Sequence, residues 1–131
     1  MARNQTKFIF QIGHANLNPV NGIRFDRAIA AAASVHCGGC TLSHKTGYWC
    51  EDGAEKGRKA FQAKAVSEMC VDLELTCEAG KAEAVYEAMT RSIAEAATEY
   101  AIDTNWVHVS ETQITGRHFS VAAIMADRVS A

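Results

Sequence analysis

Near the start of the chain, Phe8, Phe10 and Ile12 alternate with Lys7, Ile9 and Gln11. Period-two alternation marks a strand with one buried face. Ile9 among the outward positions predicts a central strand, apolar on both sides. The next stretch, residues 13–22, contains Gly13, His14, Asn16, Asn18, Pro19, Asn21 and Gly22, and reads as a loop built from turn chemistry. The period then becomes helical from about Arg24 to His36. Phe25, Ile29, Ala32 and Ala33 share one face there, and the alanine run favours helix. Gly38 and Gly39 predict the stop, because glycine accepts the left-handed conformation that ends helices.

A second strand is predicted from Cys40 to about Cys50. Cys40, Leu42, His44, Thr46, Tyr48 and Cys50 fall on one side, and Ser43, Lys45, Gly47 and Trp49 on the other. Residues 51–64 are polar and read as a long turn. The cleanest alternation follows from about Val66 to Cys77. Met69, Val71, Leu73 and Leu75 face one way, and Glu68, Cys70, Asp72 and Glu74 the other. A second helix is predicted from about Lys81 to Ala101, with the apolar stripe Val85, Met89, Ile93, Ala96 and Tyr100. A fourth strand covers about Trp106 to Ile114. After a turn at Thr115 and Gly116, a fifth is expected from His118 to about Met125.

The order β-α-β-β-α-β defines the split βαβ, ferredoxin-like plan. The expectation is one α+β domain over residues 1–131. It has a four-stranded antiparallel sheet, two helices on one face and an added C-terminal strand. In this plan strands 2 and 4 are the sheet edges. Turning the apolar sets toward the helices leaves Ser43, Lys45, Trp49, Glu68, Asp72, Glu74, Trp106, His108, Ser110 and Thr112 on the open face. An uncovered face carrying two tryptophans suits an interface. It predicts a homo-oligomer, a dimer, joined through that face or through the C-terminal strand.

Composition narrows the classes. The 131 residues carry a net charge of −2, with no run of three basic residues, which disfavours duplex nucleic acid and anionic membrane surfaces. No apolar run approaches the ~18–20 residues that span a bilayer. The opening MARNQTKFIFQIG has too short an apolar stretch for a signal peptide. The five cysteines are odd in number, which with no export signal predicts reduced thiols in a cytoplasm.

Five groups of residues are candidates for chemistry. The first is the loop after strand 1, with His14, Asn16, Asn18 and Asn21, and Arg24 at the start of helix 1. A helix N-terminus offers free N–H groups and partial positive charge to an anion, and Asn supplies both donor and acceptor. The bland alternative has Asn21 capping the helix and the others closing Asx turns. The second is Cys37-x-x-Cys40. With Cys50 and His44 or His36 it can supply four zinc ligands. It follows the C-terminal end of a helix, where the dipole disfavours thiolate, so redox chemistry fits less well than structural thiols. The third is a pair of His-x-Ser/Thr triplets, His44 with Thr46 and His108 with Ser110, as a two-histidine phosphoesterase needs for base, acid and phosphate grip. Against it, strands 2 and 4 lie ~14 Å apart, and the alternation turns His44 to the helix side and His108 to the open side. The fourth is the carboxylate set Glu68, Asp72 and Glu74, a cation or general-base candidate or a plain solvated face. The last is Arg117 and His118 beside a turn, suited to an anion or to gatekeeping an apolar strand.

No nucleophile–base pair stands out. The sequence therefore favours a non-enzymatic, small oligomeric protein that holds or sequesters a small polar or anionic, nucleotide-like ligand through His14, Asn16, Asn18, Asn21, Arg24, Trp49 and Trp106. The alternatives are a protein–protein inhibitor or adaptor that uses the open sheet face, and a small phosphoesterase built on His44 and His108.

Overall fold

The computed structural model describes residues 2–13, 18–49, 66–104 and 107–130. The long turn over residues 51–64, Cys50, Trp106, His14 and Asn16 lie outside them.

β1 (Arg3–Gly13) leads to α1 (Pro19–Cys37), then β2 (Thr41–Trp49) and β3 (Val66–Glu78). A single 3-10 turn (Ala79–Lys81) opens α2 (Ala82–Glu99), followed by β4 (Val107–Gly116) and α3 (Val121–Ser130). The four strands form one antiparallel sheet in the order β2-β3-β1-β4. The expected α+β, ferredoxin-like sheet is therefore present, with β1 and β3 central and β2 and β4 at the edges.

Strand parity builds the core. Phe8, Phe10 and Ile12 of β1 pair across the ladder with Leu75, Leu73 and Val71 of β3, and all six are buried. Cross-strand partners share a face, so this set forms one apolar surface. Phe25, Ile29 and Ala33 of α1 close over it, with Val85, Met89, Ile93 and Ala96 of α2. Ile102, just beyond α2, completes the cluster. Burial of each such side chain supplies roughly 1.5–3 kcal/mol before entropy is charged.

Two sequence expectations are corrected. α1 begins at Pro19 and not near Arg24. Asn18, and not Asn21, is the cap: its side-chain oxygen accepts from the N–H groups of Val20 and Asn21 at 3.0 and 3.4 Å. Proline at the first helical position lacks only an N–H that would have been unpaired there, so Asn18-Pro19 starts a helix where composition suggested a loop. The stop falls as expected. Gly38 sits at φ 84 and donates its N–H to the Ser34 carbonyl, a conformation that costs glycine little. The second correction is at the C-terminus. The expected fifth strand from His118 to Met125 is instead largely α3. Ser120 caps it, its hydroxyl accepting from the Ala123 N–H at 3.1 Å, and the alanines at 122, 123 and 126 favour helix.

No helix among the described residues is long and apolar enough to cross a membrane.

Candidate functional site: the uncovered face of the sheet

The residues between those core positions point away from α1 and α2. Their register aligns them in rows across the sheet. Ser43 of β2 pairs with Asp72 of β3, Asp72 with Gln11 of β1, and Gln11 with His108 of β4. One such row spans about 14 Å at the usual strand spacing. Thr41, Glu74, Ile9 and Ser110 form the next row. Lys45, Cys70 and Gly13 form the one on the other side. The open face is thus polar along most of its width.

Asp72 is the unusual member. It is only 8% exposed although neither α1 nor α2 lies over it. Its Oδ2 accepts from Lys45 Nζ at 2.7 Å. Its Oδ1 is buried and has no hydrogen-bond partner among the described residues. A buried acceptor left unpaired costs ~1–3 kcal/mol, a cost that a donor brought within reach of this atom relieves. The hydrogen bond to Asp72, then its charge, raises the Lys45 pKa above the usual lysine value, with Glu74 adding a smaller push. Lys45 therefore stays cationic, and its side chain is 58% exposed to meet an anion. Lys7 and Glu74 make a second, longer pair at 3.4 Å. Among the described residues no cluster of three or more His, Cys, Asp or Glu is placed to hold a metal ion.

The seven residues expected to hold ligand divide as follows. The end of β1, the end of β2, the start of β3 and the start of β4 meet at one end of the sheet, where Gly13 pairs with Cys70, Ile12 with Val107, and Trp49 with Val66. Asn18 is exposed there as the cap of α1. Asn21 is half-buried in the first turn. Arg24 is exposed but sits one and a half turns into α1, about 7.5 Å from its first residue along the axis. It is therefore not one of the groups at the helix mouth. His14, Asn16 and Trp106 fall outside the described residues.

The two histidine triplets are not assembled within one chain. His44 lies on the helix side of edge strand β2, where its Nε2 meets Asp26 Oδ2 of α1 at 2.7 Å. His108 lies on the open side of the opposite edge, with β3 and β1 between them. Asp26 is a partner that sequence reasoning missed, since nothing in the spacing from residue 26 to residue 44 announces it. Gln11 was likewise passed over, because its place beside Asp72 and His108 depends on register.

Cys37, Cys40 and Cys77 are free thiols. Cys37 and Cys40 are partly buried against the core and Cys77 lies inside it. Burial first, then the neighbouring Cys77 and Cys40, pushes the Cys37 thiol up to about 11. Burial also raises Cys40 and, with Glu111 and Glu78, Cys77. Protonated thiols are poor nucleophiles.

No family model and no curated protein matches the chain. Solved structures do. A Bacillus cereus protein related to NIF3 superposes with a TM-score of 0.50 at 15% identity; the match covers 88% of this chain and 29% of that protein. A phage SAM lyase in complex with S-methyl-5'-thioadenosine gives 0.46 at 12% identity, over 89% of this chain and 93% of that one. The periplasmic divalent cation tolerance protein CutA from Archaeoglobus fulgidus gives 0.44 at 8% identity, over 96% and 99%. At these identities the likeness is one of fold.

Proposed function

We propose that this chain is a small oligomeric binding protein of one domain, without catalytic turnover, that holds a polar, nucleotide-like ligand on the uncovered sheet face. The observation that carries the reading is the buried, unpaired Oδ1 of Asp72 beside the exposed ammonium of Lys45. A carboxylate of this kind accepts from a ligand hydroxyl or amino group, while the ammonium beside it meets a phosphate or carboxylate. Gln11, next in the row, offers both a donor and an acceptor to a base or sugar edge. In this reading the ligand extends over the end of the sheet toward Asn18, and His14, Asn16, Asn21, Arg24, Trp49 and Trp106 are the sequence's further candidates for it.

Calorimetric titration tests this with purine and pyrimidine nucleosides, their phosphates, and inorganic phosphate as probes. At least one nucleoside or nucleotide is expected to bind. Asp72→Asn and Lys45→Ala should each weaken it tenfold or more with the circular dichroism spectrum unchanged. Binding that is equal in both variants and the parent, or absent for every nucleoside and nucleotide, overturns the reading.

A further inference from the structure

On the helix side of edge strand β2, the imidazole of His44 and the carboxylate of Asp26 stand 2.7 Å apart, Nε2 to Oδ2. An ionised carboxylate only accepts hydrogen bonds, so the proton of this contact sits on Nε2. In the neutral ring the lone pair is then on Nδ1, because the bond made by one ring nitrogen fixes the state of the other. The Asp26 side chain is 19% exposed. Its other oxygen, Oδ1, is buried with no hydrogen-bond partner among the described residues. Losing His44 would leave a largely buried carboxylate without the donor it holds, so the ring is kept firmly in place.

The rest of the ring faces outward, with the His44 side chain 52% exposed. Thr46 is exposed on the same face of β2, about 7 Å further along the strand. His36, His108 and His118 are exposed too, but none has a carboxylate at ion-pair distance among the described residues. His44 with Asp26 is therefore a nucleophile joined to an orienting group. An ordinary exposed histidine reacts at Nε2, the nitrogen away from the backbone. Here Asp26 occupies Nε2, and Nδ1 is the nitrogen on offer. As Nδ1 forms a bond the ring becomes positive, and the carboxylate stabilises that charge. The electrophile has to sit beside Thr46, whose hydroxyl donates to an anionic oxygen. A tetrahedral phosphoryl group meets that demand.

We infer that His44 accepts a phosphoryl group on Nδ1, with Asp26 as its positioning residue, from a donor of high transfer potential such as a phosphoramidate or an acyl phosphate. With a phosphoramidate, the Nδ1 lone pair forms the new N–P bond while the donor's own P–N bond breaks, and ammonia leaves with that electron pair. With an acyl phosphate the P–O bond breaks and a carboxylate leaves. Nε2 keeps its proton against Asp26 throughout, so the product ring is an imidazolium paired with a carboxylate. Nothing is oxidised or reduced, and the transfer is stoichiometric. The inference stands apart from the proposed ligand site, because His44 faces the helix side of the sheet and Asp72 the other.

Incubation of the full chain with phosphoramidate, and separately with acetyl phosphate, tests it by intact mass, peptide mapping and NMR of the phosphorylated ring. The expected product carries one acid-labile phosphoryl group on His44 Nδ1, formed roughly tenfold or more faster than on His36, His108 or His118. His44→Gln should abolish it. Asp26→Asn keeps the side chain's size and should slow the transfer roughly tenfold or more with an unchanged circular dichroism spectrum. Asp26→Ala frees Nε2 and should move the phosphoryl group to that nitrogen. A merely structural contact would change neither the rate nor the point of attachment. Labelling that is spread evenly over the histidines or favours another one overturns the inference. So do attachment at His44 Nε2 in the parent, attachment still at Nδ1 in Asp26→Ala, Asp26→Asn labelled as fast as the parent, and labelling by neither donor.

Discussion

Along β1, Phe10 is fully buried under the helices, while its neighbour Ile9 is half-buried on the face the helices leave uncovered. One residue of chain separates two environments. On the Phe10 side, apolar area is removed from water and position is set by packing. On the Ile9 side, ion pairs and one carboxylate oxygen without a hydrogen-bond partner among the described residues occupy the face, and position is set by register. The first side makes the fold stable, and the second is free to be used. Stability and binding should therefore respond to different substitutions.

The largest effect expected is Phe10→Ala, at about 3–5 kcal/mol of lost stability, because the ring is fully buried between the sheet and the helices. Ile9→Ala should cost well under half of that. Denaturant unfolding of the two variants side by side would break the comparison if their costs came out equal. Next is Asp72→Asn. The Lys45 end of the pair is exposed and screened by water, so although Asp72 is buried the pair contributes only about 1 kcal/mol. Stability should fall by no more than that while nucleotide affinity drops at least tenfold. A large stability loss would mark Asp72 as structural. The smallest effect concerns Cys37 on the helix side. Its native pKa of about 11 lies above the ordinary thiol value of 9.0. The native state thus holds this proton more tightly than the unfolded chain, and the contribution is complete below pH 9 and lost as pH rises toward 11. Thermal unfolding should show a shallow decline over that window which Cys37→Ala lessens, the rest coming from Cys40 and Cys77.

Most of the covered side was legible in the sequence. The alternation through Phe8, Phe10 and Ile12, and again through Val71, Leu73 and Leu75, names the buried face without reference to anything distant. The stripe Val85, Met89, Ile93 and Ala96 names the side of α2 that meets it, and the bounds of α2 fall within two residues of expectation. Where composition and capping disagree, composition misleads: Asn18-Pro19 has the composition of a turn, yet it is a cap and a first helical residue. The C-terminal segment, expected as a strand after the turn at Thr115 and Gly116, is a helix that Ser120 and the alanines that follow favour. The open face was legible only in part. Strand parity put Asp72, Lys45 and His108 on it, but their neighbours depend on which strands pair and at what offset. That offset joins residues 11, 72 and 108, and no local pattern encodes it. The same holds for Asp26 and His44, which meet only because α1 lies over β2.

The central place of β1 has a consequence for how the molecule is made. Its partners are β3, beginning at Val66, and β4, beginning at Val107. Chains emerge from a ribosome at about 5–20 residues per second, so the first strand waits roughly 5–20 s before its second neighbour exists. Pairing across such sequence distances is also slow once the chain is complete. The newborn protein is therefore a sensible client for chaperones that hold extended apolar segments, and its yield in cells should respond to translation speed more than its finished stability would suggest.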